Sequence, residues 1–459
     1  MPHIRADVPL SDRLAWLGRF QRLIAAHEPA LSAAIEADTG KSRYEALMTD
    51  VAPLLAACRW TRRRAAGLLG ERRVGGSPWW MGMFRGPMVV ERRVPFGRVL
   101  LIGVWNYPVQ ILGIQLVHSL IAGNRVVVKP SERSPKSQEL LVQLALEAAP
   151  PEGILTLAPA TREEGERLVR DERFDHIVFT GSTTTGRAVA AVAAARLTPA
   201  TLELSGRDSA IVLDDADPVL AAESIWAAVC MNAGQTCMGP RRALVHSAVY
   251  KPFVERLTRL ARKTPARQLI DEQAAAIAYE LVVKALEMGG RDAAAEPYGS
   301  PAPSEPVPRP IGRVWRPTAV IDCPGMATLV EGRHFGPALA VVRVERMEDA
   351  LEVHERCDQH LSASIFTGTP SRARRLAVLL GATVITVNDC VAPSAHPGVS
   401  IGGRGESGLG LSRGEEGLLS MTRPVYITES RGQVRKILKE PGRPGVSMLA
   451  KVVSWSYRW

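Results

Sequence analysis

One cysteine of the chain, Cys237, lies in the segment "NAGQTCMGP" between small and polar residues, and a Gly-Pro pair follows two residues later. A Gly-Pro pair is typical of a turn, so the thiol is predicted to lie in a loop. A thiol in a polar, partly exposed setting can act as a nucleophile, whereas a thiol buried among apolar residues is inert. The segment alone leaves both interpretations open.

Two other side chains could take part in the same chemistry. Glu203 stands between two leucines in "LELSG", so one position of an apolar strand is an acid. A buried carboxylate needs a partner and is suited to act as a general base, and the alternative is a structural salt bridge. Asn106 in "WNYP" ends another strand, where its amide could donate to an oxyanion or bond its own backbone in a turn.

Two further motifs could hold phosphate and ribose groups. The run "FTGSTTTGRAV" follows a strand and opens a helix, with Gly181 and Gly186 on either side of four small hydroxyl residues that begin with Ser182. Backbone N–H groups at such a helix start can bind a pyrophosphate, although a simple capped helix has the same pattern. Lys129 and Glu132 in "KPSE" could bond ribose hydroxyls at a strand end, or form a solvated turn.

The elements that must position these residues alternate between strands and helices. Residues 12–68 show apolar spacings of three and four, which predict helices, and "GRVLLIGV", "NRVVVKPS" and "DHIVFTGS" are short apolar strands with helical stretches between them. This alternation predicts an α/β fold with a mostly parallel, doubly wound sheet, whose ligands bind beyond the carboxyl ends of the strands. A second α/β unit is predicted to begin near Leu204 and to run beyond Asp389. It contains a proline-rich segment that is predicted to be an exposed loop.

Composition narrows the class of protein. At 459 residues and 46% hydrophobic content the chain is predicted to be an enzyme-sized globular protein of two or three packed units. Its six cysteines include no C-x-x-C pair, which argues against a zinc site or a disulfide framework. The +10 charge is dispersed and suits phosphate-bearing small molecules, and no basic segment carries the stacking aromatics of a nucleic-acid binder. Without a signal sequence or a long apolar run, we expect a cytoplasmic protein.

Taken together and in this order, the motifs resemble the aldehyde dehydrogenase superfamily, from the N-terminal helices to "MTRPVY". The 34 residues from Glu203 to Cys237 fit the family spacing, and "FGPAL" and "GGRGESGLG" are further matches. The short N-terminal region and "WNYP" are most similar to the class 3 branch, which includes oxidisers of fatty and aromatic aldehydes.

The resemblance implies a role for each candidate residue. Cys237 would attack the aldehyde carbonyl, and Asn106 and the Cys237 backbone N–H would hold the oxyanion. After hydride transfer, Glu203 would activate the water that hydrolyses the thioester to the acid. Hydrolysis is favoured over transfer to coenzyme A because the latter needs no such base. NAD is the expected cofactor, with NADP as the alternative, because a carboxylate at Glu132 would repel a 2′-phosphate.

The resemblance also implies a set of cofactor contacts and a division into domains. The cofactor-binding residues would be Trp105, Lys129, Ser131, Glu132, Gly181, Ser182, Gly186, Leu204 and Phe335, and no metal site is expected. Residues 1–75 and 98–203 would form a Rossmann-type NAD(P)-binding domain and residues 204–412 the α/β catalytic domain. Residues 76–97 and 413–459 would form a bridging and oligomerisation hairpin with a C-terminal tail.

The sequence departs from the family pattern at several positions. The family usually has a glutamate two positions before the Phe of "FGP", to hold the nicotinamide ribose, but this chain has Arg333, and Glu331 would reach the ribose only if the loop were shifted. Ser205 and Arg207 replace a glycine and a lysine, and Ile401 replaces a phenylalanine. Arg333 leaves open an alternative function, that of a catalytically weak homologue that binds a nucleotide or a partner. A cofactor-independent cysteine hydrolase is a third hypothesis.

Two aromatic clusters, "PWWMGMF" and the ending "AKVVSWSYRW", are unusual for a chain with 5% aromatic residues. They are predicted to form a homodimer interface. The alternative is peripheral contact with an anionic membrane surface, because Trp and Tyr stand beside basic residues. That alternative would suit a long-chain aldehyde.

Overall fold

The structure is a computed structural model that describes residues 8–75, 88–295, 307–429 and 442–456. The cluster "PWWMGMF", the middle of the proline-rich loop and the last three residues lie outside the described residues. The predictions that rest on those segments therefore stay predictions.

The helices differ in length, and the longer ones carry the apolar spacing expected of packed helices. They are α1 Leu10–Ala26, α2 Glu28–Thr39, α3 Arg43–Ala46, α4 Ala52–Leu69, α5 Pro108–Ala122, α6 Pro135–Glu147, α7 Arg162–Asp171, α8 Thr183–Ala195, α9 Pro218–Cys230, α10 Ser247–Lys263, α11 Glu272–Glu287, α12 Thr328–Glu331, α13 Met347–Glu355, α14 Pro370–Ala377, α15 Gly414–Leu419 and α16 Arg443–Ser456. A π-helical turn at Leu47–Val51 joins α3 to α4, and 3₁₀ turns lie at Met231–Gly234 and Ala392–Ala395.

The strands are mostly short and apolar. They are β1 Arg72–Arg73, β2 Met88–Pro95, β3 Arg98–Ile102, β4 Arg125–Lys129, β5 Leu155–Leu157, β6 His176–Gly181, β7 Ala200–Leu204, β8 Asp208–Val212, β9 Pro240–His246, β10 Arg267–Gln268, β11 Arg291–Asp292, β12 Val314–Trp315, β13 Thr318–Ile321, β14 Ala338–Val344, β15 Gln359–His360, β16 Ser362–Phe366, β17 Val384–Val387, β18 Arg404–Gly405, β19 Gly408–Leu409 and β20 Thr422–Glu429.

The first large sheet has six strands in the order β19-β7-β6-β3-β4-β5. Strands β3 to β7 are parallel, and β19 is antiparallel to β7 at the edge. Consecutive residues such as Val126, Val127 and Val128 are all buried, as strands covered on both faces require. The chain reverses its direction of travel across the sheet between β3 and β6, and such a switch point forms a ligand crevice beyond the carboxyl ends of the strands.

The second large sheet has seven strands in the order β11-β13-β14-β9-β8-β16-β17. All are parallel except the edge strand β11. Along β9, Leu244 packs into the hydrophobic cluster on one face, and Ala243 and Val245 pack into the cluster on the other. The predicted α/β fold class is confirmed, because both sheets are mostly parallel and separated along the chain by helices.

The chain divides into two compact units. One contains Met1–Leu68 and Pro95–Thr422, which include both large sheets, and the other contains Leu69–Val94 and Arg423–Trp459. The division of the first unit into a cofactor-binding part and a catalytic part stays a prediction.

The second unit contains a three-stranded sheet in the order β1-β2-β20. Its buried Glu91 forms ion pairs with Arg72 at 2.5 Å and with Arg93 at 2.8 Å. The helix α16 leaves several large apolar side chains exposed, among them Met448 and Trp455. Within the described ranges, the structure contains no helix with the length and apolar character needed to cross a membrane.

A single glycine decides how closely β19 approaches β7. Gly408 has φ +133°, and a Cβ there would lie 1.9 Å from the Leu202 carbonyl oxygen. Gly408→Ala is therefore expected to lower the free energy of unfolding by about 3 kcal/mol, because β19 must move away from its partner strand. Urea denaturation followed by circular dichroism measures the change.

Gly289 is the matched control, because it also has a positive φ, +103°, but no atom would lie within 4 Å of an added Cβ. Gly289→Ala is expected to cost only the backbone strain, about 1 kcal/mol. Equal losses in the two variants would show that the close approach to Leu202 is unimportant.

Candidate active site

Cys237 follows a backbone turn of unusual conformation. After α9 ends at Cys230, the residues Asn232, Ala233 and Gly234 have φ values of +49°, +52° and +74°. Three successive left-handed residues are rare, and the conformation is costly for alanine in particular. The turn is buried and leads to the half-buried Cys237 just before β9. Strained backbone of this kind persists only where the surrounding structure holds it.

A second loop, residues 335–337, presses against this turn. A Cβ on Gly234 would lie 2.4 Å from the Gly336 carbonyl carbon and the Pro337 nitrogen. Position 234 therefore requires glycine both for its φ and for this approach. The "FGP" motif found in the sequence thus packs directly on the turn that presents the thiol.

Asn106 lies in the loop after β3 and connects it to the cysteine loop. Its Nδ2 donates to the Gln235 carbonyl at 3.0 Å, and its own carbonyl accepts from Asn232 Nδ2 at 2.8 Å. The amide nitrogen carries two hydrogens, so the one not used by Gln235 remains for an oxyanion. Within the described residues, the buried Oδ1 of Asn106 has no hydrogen-bond partner.

The helix that follows Asn106 is anchored by a buried ion pair. Lys41 Nζ lies 2.7 Å from Asp50 Oδ2, and Asp50 Oδ1 accepts from the backbone N–H groups of Val109 and Gln110 at 3.2 Å each. These N–H groups belong to the first turn of α5, so the carboxylate satisfies donors that the helix itself leaves unpaired. The pair fixes the end of α5 from which the Asn106 loop emerges.

Glu203 lies on β7 and is buried. Its Oε2 accepts a hydrogen bond of 2.5 Å from Ser412 Oγ, while in the described part of the chain Oε1 has no partner. One oxygen is therefore held in place and the other can accept a proton. Ser412 reaches Glu203 because Gly408 pairs with Glu203 in the β7–β19 register and the chain then turns back.

The charges around Cys237 keep its thiol protonated. Burial raises the pKa of Cys237 to about 12, and the negative charges of Glu203 and Asp208 add to the rise, whereas Arg413 opposes it. Asp208 is itself affected: burial raises its pKa to about 7 although Leu361 and Ser362 donate hydrogen bonds to it. At neutral pH the thiol must therefore lose its proton during the reaction rather than before it.

The predicted phosphate site lies at the N-terminus of α8, beside the switch point. Ser182 caps this 13-residue helix, its Oγ accepting from the Thr185 backbone N–H at 3.2 Å, and the side chain is exposed. A Cβ on Gly181 would lie 2.5 Å from the Phe179 ring, and a Cβ on Gly186 would lie 2.5 Å from Leu204 Cδ2. Gly186 thus allows α8 to pack closely on β7, and Gly181 keeps the end of β6 open.

The predicted ribose-binding residues follow β4. Lys129 is buried, and its Nζ pairs with Glu132 Oε2 at 2.9 Å, so each already binds the other. The Ser131 backbone N–H donates to Gln138 Oε1 at 2.7 Å, and its hydroxyl accepts from the Arg133 N–H at 3.3 Å. The Lys129 ammonium has further hydrogens to donate, and the half-exposed Glu132 carboxylate can accept. Together they suit a ribose diol, which binds through both a donor and an acceptor.

Trp105 and Phe335 come together from different loops. Their ring centroids are 5.7 Å apart in an edge-to-face arrangement, and both side chains are half-buried. Trp105 precedes Asn106 and Phe335 precedes Gly336, so each ring adjoins a residue that contacts the cysteine loop. These positions fit an aromatic cofactor ring that reaches from α8 toward Cys237.

The unusual Arg333 is paired with a carboxylate. It forms an ion pair with Glu406, which also lies 2.5 Å from Arg187 on α8. Glu331 does not take the place of Arg333. Its carboxylate lies 3.6 Å from Arg356, and its backbone carbonyl accepts from Arg207. The positive charge of Arg333 is thus partly neutralised at the site.

A thiol, a buried carboxylate and an amide thus lie on neighbouring segments near the switch point of the first sheet, an arrangement expected of an enzyme that works through a covalent intermediate on cysteine. The chain belongs to the aldehyde dehydrogenase family, because the sequence profile described as "Aldehyde dehydrogenase family" matches residues 3–427. This confirms the superfamily resemblance and the prediction of an NAD(P)-dependent oxidoreductase.

Named relatives and a solved structure agree with this assignment. The 4,4'-diapolycopene aldehyde oxidase of Methylomonas sp is 31% identical over 433 residues, 94% of this chain and 80% of that protein. Betaine aldehyde dehydrogenase 2 of Rhizobium meliloti is 30% identical over 87% of this chain and 81% of that protein. The NADP-dependent glyceraldehyde-3-phosphate dehydrogenase of Bacillus halodurans, solved with NADP, has a TM-score of 0.82 at 28% identity and covers 92% of this chain and 87% of that one.

Several residues of the site were missed in the sequence. Ser412, Glu406 and Arg413 all lie in or just after "GGRGESGLG", a segment that serves in the sequence only as a match to the family. Arg241 follows Cys237 by four positions, and its burial has no local signal. These contacts join residues far apart in the chain, so no spacing pattern could have revealed them.

The effect of the Glu203 charge on the pKa of the Cys237 thiol can be measured. Glu203→Gln removes a negative charge that raises the pKa of Cys237, so the pKa should fall. At pH 8.5 the rate of iodoacetamide alkylation of Cys237, followed by peptide mass spectrometry, is expected to rise roughly 3- to 10-fold, since one pKa unit is tenfold in thiolate. Hydrolysis of the acyl intermediate should slow in the same variant.

Glu345→Gln is the control, because Glu345 is exposed and pairs with Arg343 on the surface. It should leave the alkylation profile unchanged. A Glu203→Gln profile that coincides with the wild type at every pH would contradict the proposed closeness of carboxylate and thiol.

Proposed function

We propose that the protein oxidises a hydrophobic aldehyde, long-chain or aromatic, to the carboxylic acid, with NAD as cofactor and NADP as the alternative. The observation that carries the proposal is the convergence of Cys237, Glu203 and Asn106, each positioned by a different strand end. The cysteine loop and the Asn106 loop share hydrogen bonds, and the charge of Glu203 acts on the thiol.

The geometry supports one order of events. The Cys237 thiol gives its proton to solvent as its sulfur attacks the aldehyde carbon, and the oxyanion accepts from Asn106 Nδ2 and the Cys237 backbone N–H. A bound nicotinamide ring, bordered by Trp105 and Phe335, would supply the acceptor for the hydride of that carbon, and a thioester would remain on Cys237. Glu203 takes a proton from water through Oε1 as the water attacks the thioester, the carboxylic acid leaves, and the Cys237 sulfur takes up a proton again.

The residues at the switch point support a nicotinamide dinucleotide. Lys129 and Glu132 would hold the adenosine ribose, with Ser131 beside them, and Gly181 and Ser182 would place α8 N–H groups at the pyrophosphate. Gly186 and Leu204 would set the distance of α8 from β7, and Trp105 and Phe335 would border the nicotinamide. Because Glu132 presents a carboxylate, a free 2′-hydroxyl is favoured over a phosphate, although the structural relative from Bacillus halodurans was solved with NADP.

The substrate class rests on two arguments. The motif "WNYP" resembles the class 3 branch, and one named relative is a 4,4'-diapolycopene aldehyde oxidase. Another named relative acts on betaine aldehyde, so relatives of similar identity differ in substrate. A panel of aldehydes must therefore include both kinds.

The catalytically weak, nucleotide- or partner-binding homologue is the second candidate, and Arg333 is the observation that favours it. The ion pair of Arg333 with Glu406, a carboxylate that Arg187 also contacts, weakens that argument, because the added positive charge is partly neutralised. The cofactor-independent cysteine hydrolase is the third candidate and predicts ester turnover that does not need NAD.

The central test is NADH formation, followed by absorbance, with aliphatic, aromatic and betaine aldehydes. The wild type should turn over hydrophobic aldehydes, and Cys237→Ala should lose at least about 10⁴-fold in kcat because no other group can form the thioester. Cys230→Ala is the matched control, since Cys230 is half-buried and lies at the end of α9 nearby. It should retain activity.

Variants of the Arg333 pair separate the alternatives. Arg333→Glu places two carboxylates side by side, and Arg333→Glu with Glu406→Arg restores an opposite pair. If the wild type forms no NADH and Arg333→Glu does, the catalytic residues are retained but the wild type has lost its affinity for the cofactor. Turnover without any cofactor would support the hydrolase instead.

We also propose a cytoplasmic homodimer that acts on a small-molecule aldehyde and binds no nucleic acid. The exposed apolar side chains of α16 support a contact through the C-terminal tail, either with a second copy or, as the sharper alternative, with an anionic membrane surface. Lys451 lies on the same helix as Trp455, as an anionic interface would require.

Deletion of residues 431–459 tests both contacts. Light scattering of the full chain is expected to give a dimer mass, and the deletion is expected to lower it. Co-sedimentation with vesicles of anionic phospholipid should fall in the deletion variant if α16 binds the surface, and co-sedimentation unchanged by the deletion would remove the membrane contact.

A further inference from the structure

Arg241 is the second residue of β9, and its side chain is buried directly behind the catalytic loop. One guanidinium nitrogen donates to the Gly234 carbonyl at 2.7 Å and to the Gly336 carbonyl at 3.3 Å, and the other donates to the Thr236 carbonyl at 2.8 Å. The guanidinium carbon also lies 5.4 Å from the Phe335 ring centroid. A single side chain thus binds both loops that meet at Cys237.

Within the described ranges Arg241 forms no ion pair, and its terminal nitrogens donate to carbonyl oxygens, while its buried Nε has no hydrogen-bond partner. Burial lowers the pKa of Arg241 to about 10, and the negative charge of Asp208 opposes this fall, so Arg241 stays protonated at neutral pH. A buried charge of this kind is costly, so the carbonyls that it binds must hold it in place.

The neighbouring Arg242 shows that burial on β9 does not by itself bring an arginine to the site. Side chains alternate along a strand, so Arg242 points to the opposite face. There it donates to Ser209 Oγ at 2.7 Å and to the carbonyls of Arg207 and His354. Arg241 alone of this pair contacts the cysteine loop.

One carbonyl bound by Arg241 lies in the strained turn. Gly234 has φ +74° and closes the left-handed run that begins at Asn232, and Thr236 immediately precedes Cys237. Backbone in this conformation forms no regular ladder, so its buried carbonyls need donors from elsewhere. Arg241 donates to the Gly234 carbonyl and is a second donor to the carbonyls of Thr236 and Gly336, which also accept from backbone N–H groups, and it thereby links Gly336 to Gly234.

We propose that Arg241 is a positioning residue, which locks the Cys237 loop onto the Phe335–Pro337 loop and whose positive charge favours the Cys237 thiolate. The inference rests on the proposed role of Cys237 as nucleophile. It adds to that role the source of the loop's rigidity and a charge that offsets the carboxylates around the thiol.

The groups that face the thiol come from every element around it. Glu203 on β7 and Asp208 on β8 disfavour the thiolate, and Arg413, which precedes α15, favours it. Tyr107 at the start of α5 is neutral, because burial raises its pKa above the ordinary value. Arg241 and Cys237 also interact electrostatically. Removing Arg241 therefore leaves two carboxylates opposed by one cation.

The test compares the wild type, Arg241→Met and Arg241→Lys, with Arg343→Met as control for the loss of a surface arginine. Two measurements use the intact chain without aldehyde or cofactor. The first is iodoacetamide alkylation of Cys237 between pH 6 and 10, followed by peptide mass spectrometry. The second is hydrogen–deuterium exchange of the peptide that spans residues 231–240. Neither needs turnover, so a failure of aldehyde oxidation is distinguishable from a failure of this inference.

Arg241→Met is expected to alkylate at least about 10-fold more slowly at pH 8, since an upward shift of one pKa unit is tenfold in thiolate. Its loop peptide should exchange faster. Arg241→Lys keeps the charge but carries its three N–H groups on one nitrogen instead of a planar fork, so it cannot reach the carbonyls of both loops together. It should therefore exchange faster while alkylating nearly as the wild type does. Arg343→Met should change neither.

Wild-type alkylation and wild-type exchange in Arg241→Met would overturn the inference. If Arg241→Met shows no cooperative thermal unfolding, Arg241→Lys decides the outcome. Exchange of its loop at the wild-type rate would then show that the guanidinium does not hold the loop.

Discussion

The catalytic site depends on one strained turn, the left-handed run from Asn232 to Gly234. Three residues in this conformation are unfavourable by themselves, so the turn exists only because its neighbours hold it. The side chain of Asn232 bonds the Asn106 carbonyl, and Gly234 lies against Gly336 with no room for a Cβ. The thiol is thereby presented at a fixed point between the two large sheets.

The glycine-rich segment from Gly402 to Gly410 connects the hydrolytic and cofactor sides of the site. At Gly408 it pairs with Glu203, the proposed general base, and just beyond it Ser412 fixes one carboxylate oxygen of Glu203. Between these points Glu406 reaches Arg187 near the start of α8, where the pyrophosphate would lie. Movement of this segment would therefore affect the general base and the cofactor site together.

Negative and positive groups near the Cys237 thiol have opposite effects on its ionisation. Carboxylates on β7 and β8 disfavour the thiolate, and arginines on the other sides favour it. The departure at Arg333 follows the same logic, because the chain has a carboxylate at Glu406 within reach. A substitution that looks disruptive in the sequence is thus paired in the structure, because ion pairs depend on distance in space and not on position along the chain.

The sequence by itself determined the alternation of strands and helices, the strand that carries Glu203, the strand end that carries Asn106, and the loop that contains Cys237. These features follow from local patterns, since apolar runs, glycines and capping residues act over a few positions. Tertiary structure alone decided that Ser412 holds Glu203 across 209 residues and that Arg333 meets Glu406 across 73. It also decided that Arg241 is buried behind Cys237, because burial and hydrogen-bond partners are set by elements that meet only when the chain is folded.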